Sequence, residues 1–199
     1  MARRGTSAAF GRDRMTLPLN PFAGVIVGAV LATVGGFLST QVQAVLDGRR
    51  RRRNAALLCG EVLAAIERIL AAAGPQHPDR VRLGPVTLRL LRAARREVDV
   101  YERNREHMFD LPDADLRARV HSFVVRLSIP LDRLFDDFDR YSALYATTGE
   151  ATAETAKLSG DMEEVFKVVY ESTLQIPDLL RRLKPLAGYG FEAYSRLET

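Results

Sequence analysis

Residues 22–38 read FAGVIVGAVLATVGGFL, and five consecutive arginines, Arg49-Arg50-Arg51-Arg52-Arg53, follow close behind. No charged residue stands between Pro21 and Leu46. About twenty helical residues cross the roughly 30 Å hydrocarbon core of a bilayer, so this stretch is long enough, with a polar margin at Ser39–Gln43. A helix lying on a soluble core would carry a polar residue at every third or fourth position. Almost none occurs here. The reading is a transmembrane helix over 21–47, preceded by a short basic N-terminal segment, 1–20, and followed by a juxtamembrane Arg run, 48–53.

A cleaved signal peptide is the rival reading, with Val42-Gln43-Ala44 as a small-residue cleavage site. Five arginines directly after an apolar segment resist translocation, however, and hold that end of the helix in the cytoplasm. Arg3, Arg4, Arg12 and Arg14 compete from the other side, but they are dispersed and partly offset by Asp13. The expected arrangement is a single pass, with the N-terminus outside and the C-terminal domain cytoplasmic. The Arg run also suits anionic lipid head groups, each arginine contributing on the order of 1 kcal/mol near a charged leaflet.

Within the span Gly24, Gly28, Ala32, Gly36, Thr40 and Ala44 recur every fourth residue. Small residues at that spacing form a groove in which a second backbone can approach closely, so Gly24, Gly28, Ala32 and Gly36 are the candidate helix–helix packing residues and a homo-oligomer is expected. The plain alternative is that Gly and Ala are common in membrane helices.

The charge distribution excludes another class. Residues 1–53 hold nine arginines against Asp13 and Asp47, a net of +7, whereas the rest of the chain holds 20 basic and 23 acidic residues, a net of −3. A nucleic-acid binder would concentrate its cations on the folded domain, where they could neutralise phosphates. No nucleic-acid partner is expected. Only Lys157, Lys167 and Lys184 are lysines, and this Arg- and Ala-rich usage points to a GC-rich bacterial source and hence to a bacterial inner membrane.

Beyond the Arg run the periodicity is helical, with no run of alternating β-branched residues. Four amphipathic helices are expected over 54–185. The first, about 54–73, places Leu58, Val62, Ile66, Ile69 and Leu70 on one face, and it can continue the membrane helix with Gly48 as the one interruption. The second, about 86–109, does so with Leu88, Leu91, Ala94, Val98, Tyr101 and Met108. The third, about 113–146, starts at an Asp113 N-cap and carries Leu116, Val120, Phe123, Leu127, Leu131, Leu134, Phe138, Tyr141 and Tyr145, with Pro130 as a kink. The fourth, about 151–183, presents Leu158, Met162, Val165, Phe166, Val169 and Leu174, and Pro177 kinks or ends it. Residues 186–199 read as a flexible tail. The predicted fold class is all-α: a transmembrane helix followed by a four-helix-bundle-like cytoplasmic domain.

Candidate chemistry is sparse. Asp132, Asp136, Asp137 and Asp139 are interleaved with Leu134, Phe135 and Phe138 and read as a solvated acidic face, not as a calcium loop. His121 stands beside Val120 and near Phe123, a boundary histidine more than a general base. Cys59 is the only cysteine; it rules out an intrachain disulfide and reads as a small core hydrophobe. No G-x-S-x-G, phosphate-binding glycine loop or H-E-x-x-H motif occurs, so neither a catalytic residue nor a cofactor or metal is expected.

The layout resembles small bacterial and prophage-type single-span membrane proteins with a cytoplasmic helical domain. The resemblance rests on the Gly-rich span, the Arg run, the helix Leu57-Leu58-Cys59-Gly60-Glu61-Val62-Leu63-Ala64-Ala65-Ile66-Glu67-Arg68-Ile69, and the stretch from Val100-Tyr101-Glu102 through Leu111-Pro112-Asp113 to Phe123. It implies no activity and no catalytic residue. Two functions suit the sequence. One is a non-enzymatic module, self-associating through its span and presenting a bundle to a protein partner. The other is a membrane-acting effector, pore-forming or defence-type, with a sensing soluble domain. The second is weakened by the lack of polar lining in the span.

Overall fold

A computed structural model describes residues 21–74, 83–149, 152–188 and Phe191. The fold is all-α: five helices, α1 Pro21–Ala73, α2 Pro85–Arg103, α3 Ala114–Thr148, α4 Ala153–Ser172 and α5 Ile176–Ala187, with 3-10 turns at Arg105–Asp110 and Thr173–Gln175 and no strand among the described residues. The chain divides into two units between Val45 and Leu46. The expected basic segment 1–20 lies outside the described residues.

In the first unit α1 exposes its apolar side chains all round, from Phe22 and Val25 to Phe37 and Val42. Two of its three hydroxyls bond within the helix: Thr33 Oγ1 donates to the Ala29 carbonyl at 2.8 Å and Thr40 Oγ1 to the Gly36 carbonyl at 2.9 Å. The backbone polarity and these two hydroxyls are thus spent inside the helix, which is what a hydrocarbon solvent demands. Among the described residues one helix is long and apolar enough to cross a membrane, and it is this one. No break occurs at Gly48; α1 runs through the Arg run to Ala73.

The second unit has one hydrophobic core. The later part of α1 contributes Ala55, Cys59, Val62, Ile66 and Leu70 at helical spacing, and α2 contributes Leu88, Leu91, Ala94, Val98 and Tyr101. α3 adds Leu116, Val120, Phe123, Leu127, Leu131 and Leu134, and α5 adds Ile176, Leu179 and Leu183. α4 packs along α3 and brings in Val165, Phe166 and Val169. Burying each of these large side chains stabilises the fold by about 1.5–3 kcal/mol, before the entropy of ordering is charged against it. The faces are the ones their periodicity marks, with two corrections.

The helix expected over 151–183 is two helices. Pro177 has no N–H to donate to the Thr173 carbonyl, so the chain closes α4 at Ser172, makes a 3-10 turn and restarts at Ile176, with Pro177 in the first turn, where a missing N–H costs nothing. Leu174 sits in that turn and is 78% exposed; it is not a core residue. The expected second helix also ends early, at Arg103. Asn104 Nδ2 donates to the Val100 carbonyl at 2.8 Å, and 3-10 geometry carries the chain to Asp110, with Met108 still buried.

The expected tail is shorter than its sequence suggests. Leu186 and Ala187 belong to α5, Gly188 ends that helix in the left-handed conformation (φ 81°), and Phe191 is buried. Glycine takes that conformation without the steric penalty other residues meet. Residues 192–199 lie outside the described residues.

Candidate functional site

Gly24, Gly28, Ala32 and Gly36 all lie on the exposed apolar part of α1. Four residues advance a helix by about 400°, so the positions form one stripe that drifts about 40° per step. A Cβ built on Gly24, Gly28 or Gly36 meets nothing within 4 Å. Among the described residues nothing therefore requires glycine at these three positions, since neither a positive φ nor a close neighbour is present there. The groove they leave is open to another molecule.

The Arg run divides. Arg49, Arg50, Arg51 and Arg52 are exposed and make no ion pair or hydrogen bond among the described residues, so four cations project from one helical turn. Arg53 instead donates from Nε to the Ala187 carbonyl at 3.1 Å. That carbonyl belongs to the C-terminal turn of α5, where unpaired carbonyls and the helix dipole favour a cation.

The residues weighed for chemistry are not brought together. Asp132 pairs with Arg95 of α2, Nε to Oδ1 at 2.6 Å, and Asp137 lies 3.6 Å from Arg133 Nε, too far for a hydrogen bond. Asp136 and Asp139 are exposed, and among the described residues no three His, Cys, Asp or Glu side chains cluster to hold a metal. His121 is half-buried, and its Nδ1 has no hydrogen-bond partner among the described residues. Cys59 is buried, and burial pushes its thiol from 9.0 up to about 11, so it carries no thiolate near neutrality and makes a poor nucleophile. Tyr101, held upward by burial and then by Cys59, donates its hydroxyl to Met108 Sδ at 2.7 Å.

Periodicity alone could not reveal two polar clusters. Asp113 caps α3, its Oδ1 accepting from Asp115 N–H at 2.9 Å and Leu116 N–H at 3.1 Å. Arg182 of α5 grips the same end, 2.7 Å from Asp113 Oδ2 and 2.8 Å from Asp115 Oδ2. Arg95 gathers Asp99, Asp132 and, at 3.9 Å, Glu102, which ties α2 to α3. An open groove of about 500 Å³ between α3 and the α4–α5 turn is lined by Arg119, Ser122, Arg126, Leu174, Asp178 and neighbours. Its charges are mixed, and no base, nucleophile and oxyanion donor converge on one point in it.

No protein-family model matches the chain, and neither a curated protein nor a solved structure is significantly similar to it.

Proposed function

We propose that the chain is a single-span, membrane-anchored helical module, non-enzymatic, that self-associates through its span and presents a cytoplasmic four-helix-bundle-like domain to a protein partner. The observation that carries this reading is the first part of α1: uncharged from Pro21 to Leu46 and exposed on every side where side chains are described. In water so much exposed apolar surface would drive aggregation, whereas in a bilayer it is the solvated state. The four outward arginines support a cytoplasmic position for the second unit, by resisting translocation and by attracting anionic lipid.

The open glycine stripe supports self-association, because a second helix packed there gains dispersion contacts that water or lipid tails supply less well. Gly28→Ile is the test. It adds bulk at the centre of the stripe, where a Cβ meets nothing within 4 Å among the described residues, so a loss of association points to an intermolecular contact. Crosslinking or an in-membrane dimerisation reporter should show a clear loss, while Val27→Ile, about 100° around the helix, leaves association near the parent level. Equal association of Gly28→Ile and parent would remove the stripe from the proposal.

A further inference from the structure

Phe109 is 70% exposed, in the 3-10 turn Arg105–Asp110, although its neighbours Met108 and Leu111 are buried. It is the only exposed phenylalanine among the described residues of the Leu46–Thr199 unit. A single exposed ring is common on protein surfaces, so its place in the fold is what gives it meaning. Three sets of contacts within the unit fix that place. Arg182 bonds Asp113 and Asp115, while Asp178 and Leu179 share a groove with Ala118 and Ser122, so α5 runs antiparallel to the start of α3. The residues just before Asp113 therefore lie at the end toward which α5 runs. There Arg53 Nε donates to the Ala187 carbonyl, which brings the Arg run to the same end. α2 arrives there too: Arg92 lies over Phe135 and Phe138 and Arg95 pairs with Asp132, so α2 is antiparallel to α3 and its C-terminus delivers the turn. Phe109 stands four residues before Asp113, at most about 14 Å of chain. One end of the unit thus carries the Arg run, the close of α5 and an exposed aromatic ring.

We propose that this end is a membrane-docking surface: Phe109 enters the interfacial layer of an anionic bilayer while Arg49–Arg52 bind its head groups, so that the domain meets the membrane at a second point besides the span. The inference rests on the single-span reading. Arg49–Arg52 are exposed and make no ion pair among the described residues, which complements a leaflet of negative charge. Arg105 and Glu106, both exposed, offset each other, and Asp113 and Asp115 are engaged by Arg182. The electrostatic attraction therefore comes from α1, and the turn contributes apolar contact. An aromatic ring beside a basic cluster is the composition that seats a protein at the head-group boundary.

The chain holds no tryptophan, so Phe109→Trp places a single fluorophore at the site. The full chain carrying it is reconstituted in phosphatidylcholine vesicles with or without phosphatidylglycerol. With phosphatidylglycerol the indole emission should shift to the blue and lose most of its intensity to brominated acyl chains; with phosphatidylcholine alone the loss should be much smaller. Ile129→Trp, at another exposed position about 24 Å along α3 from Asp113, should emit as in water and resist brominated lipid in both. An indole at position 109 as water-exposed as that control overturns the inference. Equal quenching with and without phosphatidylglycerol overturns it too, since the arginines would then have no part. A blue shift that brominated lipid does not quench would assign the ring to a protein contact, a second copy included, and refute the bilayer. If Phe109→Trp loses its helical circular dichroism, 4-fluorophenylalanine at position 109 replaces it, with broadening by nitroxide-labelled lipid as the readout. Alkaline carbonate extraction of the parent reports separately on the span. A chain that leaves the vesicles fails the anchor, whereas one that stays while its indole remains in water fails only the docking.

Discussion

Arg182 shows how much one side chain can organise. Its guanidinium bridges Asp113 and Asp115 at the start of α3, where the unpaired N–H groups of the first turn already favour negative charge. Asp113 is held below its ordinary 3.8 first by the Leu116 N–H and then by Arg182, and Asp115 first by Arg182 and then by Arg119. Depressed values mean that the folded state binds the ionised carboxylates better than the unfolded chain does. The stabilisation is therefore complete above about 3.8, the unfolded value, and disappears as pH falls below it through the folded values. Urea midpoints of the Leu46–Thr199 unit should drop across that acid range, and Arg182→Gln should flatten the drop; an unchanged acid limb in the variant would remove the bridge as its cause. Apolar residues obey a simpler rule. Leu127 is fully buried, and Leu127→Ala should cost about 2–5 kcal/mol in denaturant unfolding. Ile129, two residues on and 65% exposed, should tolerate alanine within about 0.5 kcal/mol.

Helix identities and faces were legible from spacing, and helix ends much less so. Leu88, Leu91, Ala94, Val98 and Tyr101 recur at three and four, and α2 buries all five. The Asp113 cap was readable too, because an Asp after Leu111-Pro112 has little else to do. Pro177 marks the place of the break between α4 and α5 but not its form, because a proline can kink a helix, end one or begin one. The outcome depends on whether Ile176 and Leu179 find a core to enter, which is a tertiary matter. The start of α4 hid a cap as well. Thr152 Oγ1 accepts from the Thr155 N–H at 3.2 Å, and the Thr152 N–H donates to Thr155 Oγ1 at 2.8 Å, a reciprocal box with threonine where glutamate or glutamine is usual. Thr152→Ala should destabilise the Leu46–Thr199 unit by about 0.5–2 kcal/mol, measured by its denaturant midpoint, whereas Thr152→Ser should retain most of the box.

At the scale of the molecule the proposal turns on which side of a membrane the second unit occupies. A reporter fused after Thr199 should behave as cytoplasmic, protected from protease added outside intact cells. Replacing Arg49–Arg53 with Gln should leave Arg3, Arg4, Arg12 and Arg14 as the stronger cluster and give mixed orientation. External protease access to the parent's C-terminal domain would overturn the assignment. The charge asymmetry behind this prediction needs no coordinates, since it is a property of position along the chain. The same holds for the length of the uncharged segment, for the helical class and for the apolar face of each helix: all are set by neighbours within a few turns, where period 3.6 decides which side chains share a face. What only the tertiary structure decided is the choice of distant partners. Arg53 reaches Ala187 across 134 positions, and Arg182 reaches Asp113 across 69, although many other arginines offered the same guanidinium. Such pairings follow from where packed helices bring their ends together, and no local spacing encodes that.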